Sequence, residues 1–485
     1  MKLVVLKEYG RVERVQQSIV KVSGFSFCAL GGLVKFGYGT LGLIVGFKED
    51  EAAVLLLKEK EKIRRGDKAF SCVDEEFKIG VGESYLGRAV SALGEPLDGK
   101  GAIKPQNYYP LFGEAASVLE RVPINEVFET GIKIIDMLIP LGCGQRELIA
   151  GDRVTGKTSI ATDTILHQKD KGMVCIYCFI GKTERDLSKV IELFKEGGAF
   201  DYTIVVAASA AVTAGQQYIV PYAAASLGEY FMDQGRKVLV VFDDLTKHAW
   251  IWRQISLLLE RFPGRDAYPG DIFYIHSQLM ERAAKLSPEA GGGAMTFLPI
   301  AQTIDGDITG YIPSNLISMT DGQIYLAAPL FYEGFRPAVD LGLSVSRIGN
   351  KIQWPAIREL AAGLRLEYLQ YRQAEQLTKM NARLSEEVEI RLKKGRLLCE
   401  LLKQETNSPV SLSEQVVLFY AYRKGCWDDL PLDKIRAAKE QIFEHINKLD
   451  STLMEEIKKK KELTPELRER LNAALEEYGK TLKAI

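Results

Sequence analysis

Histidine, cysteine and net charge are all scarce in this chain, and each scarcity removes a class of function. The four histidines (His167, His248, His276, His445) lie far apart in sequence and give no local metal-ligand spacing. Seven cysteines are scattered without a disulfide framework, which suits a reducing compartment. One C-x-x-C occurs, Cys175-Ile176-Tyr177-Cys178, but it lies inside the apolar run Met173–Ile180. A redox pair needs a helix start to stabilise its thiolate, so these two cysteines are expected to be small buried hydrophobes. Lys+Arg (63) and Asp+Glu (64) nearly cancel to a net charge of -1, which leaves no electrostatic footprint for nucleic acid or an anionic membrane. No charge-free apolar run approaches the ~18 residues that a membrane-spanning helix needs. The start, Met1-Lys2-Leu3-Val4-Val5-Leu6-Lys7, meets charge too soon for a signal peptide. Any membrane role is therefore expected to come through partners.

What is present is ordinary soluble-protein material, 46% hydrophobic and 26% charged, in 485 residues, too many for a single compact core. Three textures divide it. Residues 1–72 carry short β-branched runs broken by glycine, such as Gln17–Val22, Leu41–Val45 and Ala52–Leu57, and predict a small β-barrel or sandwich. Residues 73–353 alternate apolar strands (Leu148–Ala150, Val174–Ile180, Tyr202–Val206, Val238–Phe242) with helical patterns, which predicts a parallel α/β sheet covered on both faces. Residues 354–485 are rich in Leu, Glu, Lys, Arg and Ala, with only Pro409, Pro431 and Pro465 as breaks, and predict a helical domain. Within it, Lys458–Lys461 beside Glu455, Glu456 and Glu462 predicts a solvated charged helix.

The strongest motif is Gly151-Asp152-Arg153-Val154-Thr155-Gly156-Lys157-Thr158, a complete G-x-x-x-x-G-K-[ST]. An apolar strand precedes it and a helix with Ile160, Ala161, Thr164 and Ile165 follows. Glycines let backbone N–H groups turn inward on phosphates, and the helix N-terminus adds positive potential. Lys157 then reaches the β/γ-phosphates of a bound nucleotide, while the Thr158 hydroxyl joins the Mg²⁺ shell. A second carboxylate should stand at the end of a neighbouring strand to hold magnesium through water, and Val238-Leu239-Val240-Val241-Phe242-Asp243 has that form. Asp244 is expected to cap the next helix.

Hydrolysis needs a group that accepts a proton from water or positions it. The place for it is the end of the strand after the P-loop helix, here Ile180-Gly181-Lys182-Thr183-Glu184-Arg185, where a catalytic chain would read Gly-Glu-Arg. Lysine carries no lone pair while charged. Glu184 stands two positions on, several Å away along a turn. Binding without catalysis is the expectation.

At this point the residues resemble the alpha subunits of F-type ATP synthases. The likeness is carried by the P-loop with Ile160–Ile165, by Phe242-Asp243-Asp244-Leu245-Thr246-Lys247, by Pro263–Asp271, by Tyr274-Ile275-His276-Ser277, by Glu281–Lys285 and by Tyr311–Ile324. It implies a β-barrel, a RecA-like nucleotide domain and a helical bundle. It also implies a non-catalytic site for ATP or ADP with Mg²⁺, and a place beside beta subunits in an alternating three-plus-three ring. A gamma-like central stalk, peripheral-stalk subunits and a membrane sector moving protons or sodium ions are the further implied partners. The chain would lie peripherally, on the cytoplasmic face of an energy-coupling membrane. By position, Arg347 in Leu343–Gly349 looks like the arginine finger, while Arg336 in Phe335-Arg336-Pro337-Ala338 and Gln404 in Leu402-Lys403-Gln404 match the adenine pocket.

The chain departs from that pattern in four places. Val154 replaces the usual glutamine, Lys182-Thr183 the usual Gln-Lys, and Gln404-Glu405-Thr406 the usual Gln-Gly-Gln. These changes are expected to loosen the hold on ATP. The chain also starts close to the barrel. The family's N-terminal helical extension, which docks the peripheral stalk, is therefore expected to be essentially absent, and either another subunit does that job or the complex departs from the standard stator. Two rival classes fit less well. An autonomous ATPase of an export-type or vacuolar-type ring conflicts with Lys182. A RecA-fold helicase or terminator acting on RNA conflicts with the charge balance and with an N-terminal region lacking a basic, aromatic-interleaved patch.

Overall fold

The computed structural model describes residues 7–48, 50–72, 76–379 and 386–483. The segment Met1–Leu6, where the sequence argues against a signal peptide, lies outside the described residues, as does Val73, the expected start of the second texture. Lys7–Gln16, Ile19–Ser23, Leu33–Phe36, Leu41–Lys48, Glu51–Lys58 and Lys68–Cys72 close into a six-stranded barrel of antiparallel pairs. Alternation builds it: Val20, Val22, Val54 and Leu56 fill the interior, while Leu43, Leu55 and Leu57 point outward into the core of the rest of the molecule. The barrel is seated on the long helix Ala214–Asp233, with Thr213 Oγ1 and Gln216 Nε2 donating to the Leu57 carbonyl at 2.8 and 3.0 Å.

The central sheet runs Val345–Ser346, Gly322–Leu326, Leu148–Gly151, Ala294–Gln302, Lys237–Asp243, Val174–Ile180, Thr203–Ala208, Ala89–Ser91. All neighbours on this path are parallel except the first pair, in which Val345–Ser346 lies antiparallel on the edge. Continuous apolar strands are the expected consequence of burial on both faces, and Val174–Ile180 is buried throughout, Cys175 and Cys178 included. Two histidines far apart in sequence meet in the interior, with His248 Nδ1 3.2 Å from His276 Nε2. Among the described residues no group of three or more His, Cys, Asp or Glu could hold a metal.

Helices Pro355–Ala361, Leu364–Lys379, Glu386–Leu402, Leu412–Arg423, Leu432–Leu449, Leu453–Lys460 and Pro465–Lys483 form the C-terminal part. Proline is not the only breaker there. Gly363, at φ +83°, separates the first two of these helices inside what the sequence reads as one stretch. The charged segment is helical and solvated on one face, yet Leu453 and Ile457 are buried, and Lys461 in the left-handed region ends it. Among the described residues no helix is long and apolar enough to cross a membrane.

Candidate functional site

The P-loop strand Leu148–Gly151 feeds the helix Lys157–Leu166 through a turn whose last residue, Gly156, stands at φ +100° with open space where a Cβ would be. Val154 also adopts a positive φ (63°), unfavourable for a β-branched residue, and its side chain is 82% exposed. Lys157 Nζ donates to the Gly151 carbonyl at 2.8 Å and to that of Asp152, and burial lowers its pKa to about 8. Thr155 Oγ1 donates to the Asp152 carbonyl at 2.8 Å, which tightens the turn. The Asp152 carboxylate accepts from Thr303 Oγ1 at 2.6 Å and Gly306 N at 3.0 Å. It braces the neighbouring loop, a role the motif alone does not reveal.

Asp243 and the P-loop meet across one intervening strand. Ala294–Gln302 lies between Leu148–Gly151 and Lys237–Asp243, so the acid's strand is the next-but-one neighbour and not the adjacent one expected. The first turn of the P-loop helix spans the gap, and Thr158 Oγ1 donates to Asp243 Oδ2 at 2.9 Å. By donor type these two oxygens on rigid elements are the hard ligands that Mg²⁺ takes. Bound there, magnesium would neutralise phosphate charge.

Lys182 completes the cluster. Its strand pairs in register with that of Asp243 (Phe179 opposite Asp243), and Gly181 at φ +59° turns the chain so that the Lys182 ammonium pairs with Asp243 Oδ1. Tyr177, three residues before the end of that strand, donates its hydroxyl to Asp243 Oδ2 at 2.5 Å. Asp244 caps the following helix, accepting from Lys247 N at 2.8 Å. Glu184 does not line the cavity; it opens the helix Glu184–Glu196, with Ser209 Oγ 3.5 Å from its carboxylate.

These groups wall a cavity of about 980 Å³ that takes in Arg153–Thr158, Lys182, Asp243, Arg336 and Gln404. Gly151 and Asp152 are not among the residues that line it. The far end is apolar, with Ile132, Phe331, Pro337 and Ala338, and the Arg336 guanidinium stacks over Phe331 at 4.7 Å. Gln404 is held by backbone groups: its amide donates to the Gly131 and Ser408 carbonyls (2.7 and 2.8 Å) and accepts from Lys133 N (3.0 Å). Its amide is thus committed to clamping the helical part onto the nucleotide domain. A polar phosphate end, a flat apolar end and a divalent-cation pair in one cavity suit a nucleotide.

Residues 131–346 match the ATP synthase alpha/beta family, nucleotide-binding domain, and residues 353–478 match the ATP synthase alpha/beta chain, C terminal domain. An ATP synthase subunit alpha from Clostridium acetobutylicum is 44% identical over 475 residues, covering 98% of this chain and 94% of that protein. This chain belongs to the ATP synthase alpha-subunit family. A subunit alpha from Petrotoga mobilis is also 44% identical, over 477 residues (98% of this chain, 94% of that one). One from Rickettsia bellii is 42% identical over 489 residues (99% and 95%).

In this ATP synthase alpha-family chain Arg347 stands apart from the nucleotide cavity. It follows the edge strand Val345–Ser346, its backbone N–H donates to the Asp321 carbonyl at 2.8 Å, and its side chain is exposed. Among the described residues the guanidinium makes no ion pair or side-chain hydrogen bond, although its charge acts on buried Glu147. That carboxyl is pushed well above its usual range by burial. Behind the strand, Gln145 Nε2 donates to Glu147 Oε2 (2.8 Å) and Ser346 Oγ (3.1 Å), and Ser346 Oγ donates to the Pro140 carbonyl (2.8 Å). Sequence reasoning missed this buried brace, as it missed Tyr177 and Asp163. Asp163, on the P-loop helix, accepts from Asn407 N at 3.0 Å, and burial raises its pKa to about 6. No motif spacing could reveal any of the three, because each contact joins segments distant in sequence.

Proposed function

We propose that this chain is a non-catalytic, nucleotide-binding alpha subunit of a rotary F-type ATP synthase that couples ATP synthesis to transport of protons or sodium ions. It binds ATP or ADP through Arg153–Thr158, Arg336 and the loop held by Gln404, with Thr158 and Asp243 holding Mg²⁺ when the metal is present. It packs beside beta subunits in an alternating three-plus-three ring around a gamma-like stalk, with peripheral-stalk and membrane-sector subunits as further partners, and it lends Arg347 to the neighbouring catalytic site. It works at the cytoplasmic face of the membrane without entering it.

The observation that carries this reading is the ammonium of Lys182 on Asp243. A proton-accepting or water-orienting group is required where that cation stands, and a charged lysine can only donate. Phosphate binding is thereby retained and the machinery for turnover is not. Arg347 is suited to act elsewhere, since an exposed guanidinium on a sheet edge is free to reach across an interface and neutralise a transferring phosphoryl group.

The test is equilibrium nucleotide binding and phosphate release by the purified full chain. Saturable binding of ATP with negligible phosphate release is expected. Turnover that matches a competent beta subunit would overturn the non-catalytic assignment.

A further inference from the structure

The donors around Asp243 go beyond what a magnesium-dependent phosphate site requires. Its Oδ1 holds the Lys182 ammonium, and its Oδ2 accepts from both Thr158 and Tyr177 at 2.9 and 2.5 Å. Lys182 Nζ also lies 3.3 Å from Thr158 Oγ1. One positive charge therefore touches both side chains that would serve the metal, at Asp243 Oδ1 and Thr158 Oγ1. The carboxylate is 1% exposed and the lysine side chain 19%, so solvent screens this pair weakly. Other charges around the pair are Lys157, Asp152, Asp244 and Lys247.

We propose that Lys182 is a built-in counter-cation for the bound phosphates, so that this chain binds nucleotide with little dependence on Mg²⁺. The inference deepens the nucleotide-binding reading and rests on it. The physical grounds are two. An ammonium beside Asp243 neutralises the charge that would attract a divalent ion, and it repels that ion directly. The same ammonium lies on the cavity wall with Lys157 and Thr158, where it would face the phosphates of a bound nucleotide. A second lysine then supplies part of the positive charge that a metal ion supplies in the usual P-loop arrangement. Mg²⁺ gives up its waters reluctantly, so a site already neutralised gains little by recruiting it.

The experiment is a titration of the full-length chain with ADP, in excess Mg²⁺ and in EDTA, read by calorimetry or by a fluorescent nucleotide. For the natural chain the two dissociation constants should agree within about threefold, while Lys182→Gln, which removes the charge and keeps a hydrogen-bonding side chain, should bind at least about tenfold more weakly in EDTA than in Mg²⁺. Lys182→Arg, which keeps the charge, should remain insensitive to EDTA. The proposal is overturned if the natural chain itself loses tenfold or more in EDTA, or if Lys182→Gln is as insensitive as the natural chain. Lys157→Ala should bind poorly in both conditions. If the natural chain binds no nucleotide in either, the nucleotide-binding reading fails as well, an outcome distinct from metal-dependent binding.

Discussion

Thr158 Oγ1 donates to the carboxylate of Asp243 at 2.9 Å across 85 residues of sequence. The contact ties the first turn of the P-loop helix to the end of a strand two places away in the sheet. It sets the spacing between the phosphate loop and the acid before any ligand arrives, which is the preorganisation that a binding site needs.

Lys157 should matter for the ligand and little for assembly. Its ammonium is folded onto the loop carbonyls of Gly151 and Asp152, where bound phosphate would replace them. Lys157→Ala should raise the nucleotide dissociation constant by about tenfold or more, the loss of one charge-assisted contact of ~1.5–3 kcal/mol. Ring assembly with beta, followed by gel filtration, should persist. A variant that no longer assembles would make the bound nucleotide an obligatory structural ligand.

Val154 holds a left-handed backbone conformation unfavourable to a β-branched side chain, with that side chain mostly in solvent. Val154→Asn relieves this conflict without opening a cavity and should stabilise the chain by about 1 kcal/mol. Thermal unfolding would detect it as a raised midpoint; a lowered one contradicts the account.

Asp163 makes stability pH-dependent. Its carboxyl is buried in the native state, and its pKa rises from 3.8 to about 6. The folded state therefore keeps this proton over a range where the unfolded state has released it, so stability falls as pH rises from about 4 to about 6. Asp163→Asn keeps an acceptor for Asn407 N and never ionises. The variant should match the natural chain near pH 4 and exceed it above pH 6, by up to about 3 kcal/mol. A stability difference that is flat across that range would show that burial of this carboxyl has no such effect.

Much of this was legible in the sequence, and the legible parts share a cause. The apolar run Val174–Ile180, the P-loop glycines and the cap at Asp244 follow from local pattern, since period, turn chemistry and capping act within a few residues. The same local reasoning singled out Lys182 as unable to act as a base. It could not give the ion pair with Asp243, which depends on two strands lying side by side in one register. Gln404 was assigned to the adenine pocket by position, yet its amide is committed to backbone groups of Gly131, Lys133 and Ser408. The break at Gly363 was missed because a single glycine in a helical stretch does not by itself declare a left-handed turn.

The edge strand beside Arg347 depends on a glycine. A Cβ on Gly322 would lie 2.2 Å from the Val345 carbonyl oxygen and 2.5 Å from Glu147 Oε2. Gly322→Ala should therefore push the strand off the sheet, destabilise the chain by about 1–3 kcal/mol and lower turnover of the assembled complex. Nucleotide binding at this chain's own cavity should change little, because the edge strand does not line it. Unchanged turnover in that variant would mean that the strand does not position a working group.

The role assigned to Arg347 is tested most directly by steady-state ATP hydrolysis and catalytic-site occupancy in assembled complexes carrying Arg347→Ala or Arg347→Lys. A finger acts on charge that develops in the transition state, so its loss falls on rate more than on ground-state binding. Alanine should cut multisite turnover by about 10³-fold or more with the catalytic sites still filled. Lysine should rescue poorly, because an ammonium lacks the planar two-pronged contact with phosphate oxygens. Near-normal turnover in the lysine variant would contradict the account, and would leave Arg347 as a brace for its own loop.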